Sequence, residues 1–119
     1  MVESRRSLLI LVGVILALSA GTQLWDWRQQ QLLGRQMASV ARPGDIMMLA
    51  SDTCEYCVMA RAYMRMHAVP YSECSIERDT ACAARYHGLK SPGTPVMVVR
   101  GDAQVGFMPS KVLDRLSRG

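Results

Sequence analysis

Hydrophobic residues along this chain form one long run and several short ones. Ser7 to Ala20 reads SLLILVGVILALSA, and apolar character extends over residues 8–24. The run is apolar all round instead of along one stripe, which argues against the alternative of a buried core helix in a small domain. At about 17 residues it lies at the short end for a membrane span. Trp25 and Trp27 follow it, as aromatic residues do at a membrane interface. A cleaved signal would need small residues at its exit, and Ala17-Leu18-Ser19 and Ser19-Ala20-Gly21 serve only moderately. An uncleaved signal anchor over residues 1–25 is therefore the favoured expectation. Arg5 and Arg6 precede the run, so the positive-inside rule puts the N-terminus in the cytoplasm and the rest outside. Residues 26–44 are polar with scattered apolar positions and read as a juxtamembrane helix or stalk ending at Pro43-Gly44.

The shorter runs all lie in residues 45–119. Ile46 to Ala50 predicts a buried strand. Residues 57–67 predict a helix, with Met59, Ala62, Tyr63 and Met66 on its apolar face. Val69 to Ile76 predicts a second strand. Asp79 or Thr80 caps a helix running to Tyr86-His87 and stopped by Gly88. Pro95 to Arg100 predicts a third strand. Gly101-Asp102 is its turn, and Ala103 to Phe107 returns as a hairpin partner. Ser110 caps a last helix with Val112, Leu113 and Leu116 inward. The order is β-α-β-α-β-β-α, preceded by the N-terminal hydrophobic helix. A helical crossover makes the first two strands parallel, and a tight turn makes the last two antiparallel. The fold class is α/β with a mixed four-stranded sheet.

Cys54-Glu55-Tyr56-Cys57 stands where the first strand gives way to a helix. Helix N-termini present unpaired N–H groups and positive dipole, both of which favour a thiolate. Two intervening residues let the sulfurs meet, so the pair can be a disulfide or a dithiol. Cys54, nearer the helix start, is the expected nucleophile, and Cys57 the resolving thiol. Glu55 adds a negative charge that opposes the thiolate. That favours a reductant or isomerase over a strong oxidant.

Charge changes the picture little. The chain carries +4, of which residues 1–44 hold five basic and two acidic residues, and residues 45–119 nine and eight. The second part is nearly neutral and has no basic cluster, so nucleic acid is not an expected partner. All four cysteines fall in that part. Cys74 and Cys82, with seven residues between them across one turn, are a candidate second disulfide in an oxidising compartment. Two buried small apolar side chains are the alternative. A four-cysteine zinc site lacks the usual spacing, and the nine methionines are too scattered for copper, so no metal is expected. Met47, Met48, Met59, Met64 and Met66 are expected to pack, and His67 and His87 to cap helix ends without a catalytic role.

A C-x-x-C opening a helix and Thr94-Pro95 opening a later strand together resemble the thioredoxin superfamily. The short element order and the 37 residues between Cys57 and Pro95 are similar to a glutaredoxin. The resemblance covers residues 45–118. It implies a cis Pro95 packed beside the cysteine pair, a Thr94 backbone that pairs with an extended substrate chain, and Tyr56 lining the groove. The segment Gly93-Thr94-Pro95, with Gly106-Phe107-Met108-Pro109-Ser110-Lys111 behind it, resembles the catalytic domain of periplasmic disulfide isomerases. Three positions depart from glutaredoxins. Glu55 replaces a proline, Ser51 stands where a lysine is common, and Gly106-Phe107 replaces Gly-Gly. These departures argue against glutathione, so the expected cofactor is none beyond the redox-active disulfide.

The expected function is thiol–disulfide exchange on protein thiols and disulfides by an exported, membrane-tethered domain fed by a separate electron donor. A non-enzymatic metal-handling or assembly factor using the same cysteines is one alternative. A cytoplasm-facing, glutathione-linked glutaredoxin is the other.

Overall fold

The computed structural model describes residues 1–118. The chain forms two compact units, Met1–Leu32 and Leu33–Gly119. The first is helical from Val2 onward, and nearly all of its apolar side chains are exposed, Leu8 to Leu18 among them. It belongs to α1, Val2–Val40, which is long and apolar enough to cross a membrane.

The second unit takes in the last turns of α1. There Leu33, Gly34, Met37 and Ala38, with Ala41 just past the helix end, form a stripe in which Met37 is fully buried. A side chain at Gly34 would overlap the His67 ring, its Cβ falling 2.2 Å from the ring carbon. Glycine is thus the residue that lets this helix approach. The segment read as a stalk includes part of a core.

The remaining elements are β1 (Ile46–Ala50), α2 (Glu55–Met66), β2 (Ser72–Ser75), α3 (Thr80–Leu89), β3 (Val96–Val99), β4 (Asp102–Val105) and α4 (Pro109–Ser117). The sheet order is β2-β1-β3-β4, with β1 and β2 parallel and the other pairs antiparallel. The mixed four-stranded sheet of the α/β fold is as the sequence predicts. β1 and β3 are central, which is why both are apolar on consecutive residues. Alternation sends Ile46, Met48, Ala50, Met97 and Val99 to one face, where α1, α2 and α4 supply Met37, Cys57, Ala60, Met64, Val112 and Leu116. Leu49, Val96 and Val98 go to the other face and meet α3 through Cys82 and Tyr86.

Several local expectations are corrected. α2 begins at Glu55, because Cys54 itself is the N-cap. Its buried face is Cys57, Ala60 and Met64, while Met59 and Met66 are 66% and 72% exposed. Both sets fit a 3.6-residue period, and tertiary packing selects the second. The helix ends in a Schellman arrangement: Ala68 takes φ 54°, its N–H donates to the Arg65 carbonyl, and the Val69 N–H donates to the Met64 carbonyl at 2.9 Å. Val69 and Pro70 are used in that exit, so β2 starts at Ser72. α3 passes through Gly88 and stops at Leu89, where Lys90 adopts the left-handed conformation instead. The hairpin turn is Arg100-Gly101, both with positive φ, as a two-residue turn between antiparallel strands requires. Asp102 belongs to β4, which ends at Val105. At α4 the N-cap is Met108, and Pro109 occupies the first turn where its missing N–H costs nothing, so Ser110 is already inside the helix.

Candidate functional site

β1 runs toward Ser51, and parallel β2 ends beside it, with the Ile76 N–H donating to the Ala50 carbonyl at 2.9 Å. Antiparallel β3 starts at the same end, Val96 pairing with Leu49. The topology therefore gathers the Ser51–Cys54 turn, the β2–α3 turn and the Thr94–Pro95 bond at one end of the sheet.

Cys54 is half-buried and caps α2. Its Sγ accepts the Cys57 N–H at 3.0 Å. Cys57 lies one turn in, only 1% exposed, with its Cα 5.2 Å from that of Cys54, and the two are joined as a disulfide. In the dithiol form the same cap would place a Cys54 thiolate against a backbone N–H at the positive end of α2. Tyr56 is on the first turn of α2 and 70% exposed. Thr94 is half-buried and joined to a fully buried Pro95 by a cis bond. The Pro95 carbonyl accepts the Gly106 N–H at 2.8 Å, which ties the end of β4 to this bond.

Cys54 also borders a cavity of about 400 Å³ between α2 and β2. Its walls include two ion pairs, Arg61–Glu73 at 2.8 Å and Arg78–Asp52 at 3.2 Å. The Arg61 guanidinium, bound to Glu73 through two of its nitrogens, holds that carboxyl below its usual range. Hydrogen bonds led by the Ser51 hydroxyl likewise lower Glu77. Away from the cavity, Tyr63 packs against His67 and Phe107, and burial pushes its phenol up.

The other two cysteines form a separate disulfide, of which Cys74 also lines the cavity beside Cys54. Cys74 on β2 and Cys82 on α3 are bonded to each other, Cα to Cα 6.0 Å, on the α3 face of the sheet. No three His, Cys, Asp or Glu side chains among the described residues stand close enough together to hold a metal ion.

Residues 46–103 match the glutaredoxin family model. The chain carries a glutaredoxin-like domain of the thioredoxin superfamily. The domain is similar to the thioredoxin-like protein BC3987, 28% identical to a mutant of that protein over 60% of this chain and 97% of that one, TM-score 0.52. Against another crystal structure of BC3987 the identity is 25%, covering 59% and 97%, again at 0.52. A mutated buckwheat glutaredoxin is similar in fold alone: 11% identity, 76% and 93% coverage, TM-score 0.51. No curated protein matches the chain. This fold with its C-x-x-C pair supports thiol–disulfide redox chemistry.

Ser51, Asp52, Arg61, Glu73, Ser75, Glu77 and Arg78 surround the cysteine turn of the glutaredoxin-like domain without having been singled out from sequence as site residues. The only local signal is Ser75 two residues before Glu77, a spacing that lets a serine hydroxyl bond its own turn. The partners across the fold are 12 to 26 residues away, and no periodicity reveals them.

Proposed function

We propose that this chain is a membrane-anchored thiol–disulfide oxidoreductase that reduces or isomerises protein disulfides through Cys54 and Cys57. The observation that carries the reading is the capping geometry. Cys54 sits half-exposed at the start of α2, accepting the Cys57 N–H, while Cys57 is buried behind it.

In this reading the Cys54 thiolate attacks one sulfur of a client disulfide. A Cys54–client bond forms, the client S–S bond breaks, and the second client sulfur leaves as thiolate. Cys57 then loses its proton and attacks the Cys54 sulfur. The first client sulfur leaves, Cys54–Cys57 forms, and two electrons have passed to the client. If, before Cys57 acts, the released client thiolate instead attacks a different disulfide of the same chain, and the thiolate displaced there attacks the client sulfur bonded to Cys54, then Cys54 leaves as thiolate and the client is isomerised with no net electron transfer. A separate dithiol donor restores the enzyme. Tyr56, Thr94 and Pro95 flank the client chain, the Thr94 backbone pairing with it. No cofactor beyond the disulfide is required. Residues 8–24 hold the chain in the membrane, with the domain on the extracytoplasmic side.

The test is Cys57→Ser in the full chain. Without a resolving thiol, the variant accumulates client adducts that dithiothreitol releases, and Cys54→Ser accumulates none. A Cys57→Ser chain that captures nothing while the purified protein carries zinc would replace this reading with a metal-handling one. A wild-type reduction potential of roughly −200 to −270 mV is the range of a reductase or isomerase, and one near about −120 mV that of a disulfide donor.

A further inference from the structure

The turn between β2 and α3 carries a carboxylate that the redox steps leave unused. Glu77 Oε1 accepts the Ser51 hydroxyl at 2.5 Å. Its Oε2 accepts the Asp52 N–H at 3.2 Å and the Ser75 hydroxyl at 3.0 Å. Two of these three donors belong to the segment that leads into Cys54. The Ser51 carbonyl in turn accepts the Cys54 N–H at 3.3 Å, closing a four-residue turn. One side chain, 26 residues away, thus grips the first two residues of a turn whose fourth is the N-cap cysteine.

Glu77 is itself held in place. Its N–H donates to Ser75 Oγ at 3.3 Å, the Asp79 N–H donates to the Ser75 carbonyl at 3.0 Å, and the Cys74–Cys82 disulfide closes the whole turn. Arg78 beside it pairs with Asp52 and draws the two turns together a second time.

We propose that Glu77 is a positioning residue that keeps Cys54 at the N-cap of α2 through the Ser51–Cys54 turn. The proposal rests on the redox reading above. Loosening the turn lets the sulfur leave the Cys57 N–H and the helix dipole, so the thiol becomes harder to ionise and slower to attack. A carboxylate near a thiol has the opposite electrostatic effect, since removing its charge makes ionisation easier. The two roles therefore predict opposite signs. Asp52, Arg61, Glu73 and Arg78 border the cavity beside Cys54, and Glu55 follows it in sequence. Ser51, Asp52 and Ser75 are the groups bonded to Glu77, with Arg78 next to it.

The experiment is alkylation of Cys54 against pH in the reduced full chain in detergent micelles, with the Cys54 peptide read by mass spectrometry. Glu77→Ala is expected to raise the apparent thiol pKa by about one unit, roughly tenfold less thiolate at neutral pH. Glu77→Gln retains an acceptor for Ser51 and is expected to stay at or below the wild-type value. Ser51→Ala removes one grip without touching the charge, and should shift the pKa in the same direction as Glu77→Ala by a smaller amount. If both Glu77 variants lower the pKa equally, its charge alone matters and the proposal is overturned. If no variant moves it while wild type still shows a reversible Cys54–Cys57 transition, the positioning role falls and the redox reading stands. A wild-type chain with no reversible transition overturns both.

Discussion

Three helices cover one face of the sheet, and a single helix covers the other. The α1, α2 and α4 side contains four fully buried methionines, Met37, Met48, Met64 and Met97, with Ile46, Val99 and Val112 packed among them. The α3 side has only Leu49, Val96, Val98 and Cys82 in its buried core, and α3 contributes just one buried residue to it. What apolar packing does on the first face, a covalent bond does on the second. The difference fits the task assigned to each. The helix that carries the cysteine pair rests on the larger core, where the cap geometry of Cys54 has a rigid base. The helix on the other face ends the turn that carries Glu77, and a disulfide keeps that turn closed without a large core beneath it.

The sharpest way to break this comparison is to hollow out one face at a time. Met64→Ala removes a fully buried side chain from the centre of the larger core and should cost about 2–5 kcal/mol. Leu49→Ala deletes an equally buried side chain on the α3 face. It should fall toward the lower end of that range, because a lone helix can settle into the space. Denaturant midpoints of the two variants at constant slope give the comparison directly. A larger loss for Leu49→Ala would show that the α3 face is as rigidly packed as the other.

Replacing both Cys74 and Cys82 with alanine tests the covalent side. Closing a loop of about this length removes unfolded-state entropy equivalent to about 2–3 kcal/mol. The double variant should lose that much, and hydrogen-exchange protection should fall in α3 while α2 and α4 keep theirs. If α3 stays protected, the Leu49–Val96–Val98 surface holds it unaided and the two faces differ less than their buried residues suggest.

The sequence shows the fold where the signal is local. Ile46 to Ala50, Val96 to Val99 and the C-x-x-C between strand and helix are legible because strand burial and helix capping involve neighbours in the chain. Legibility fails where two local patterns compete. Met59, Ala62, Tyr63 and Met66 have the same period as Cys57, Ala60 and Met64, and only packing decides between them. It fails also where one position has two meanings. Gly88 reads as a helix stop, yet Lys90 takes the left-handed conformation. It fails most where the partner is remote. Nothing about Gly34 announces the His67 ring. Nothing about Glu77 announces Ser51 and Asp52, which reach it only when parallel pairing brings the ends of β1 and β2 together.

The smallest expected effect lies at the edge of the larger core, where apolar cover gives out over β2. There Arg61 of α2 meets Glu73 through two nitrogens, with side chains about 28% and 33% exposed. The Arg61 guanidinium lowers the Glu73 carboxyl below its unfolded value. The pair therefore stabilises the fold at pH values above that unfolded value, and its contribution is lost as pH falls through the folded one. Partial exposure and screening limit it to about 1 kcal/mol or less. Asp45 and Glu77 are lowered too, so the acid limb of wild type alone does not isolate this pair. The difference between wild type and Glu73→Gln does. It should be present at pH 7, shrink with added salt, and vanish at a pH low enough to protonate Glu73 in the folded chain. A difference that persists there would mean that the arginine stem covers the sheet edge by packing, extending the larger face without help from charge.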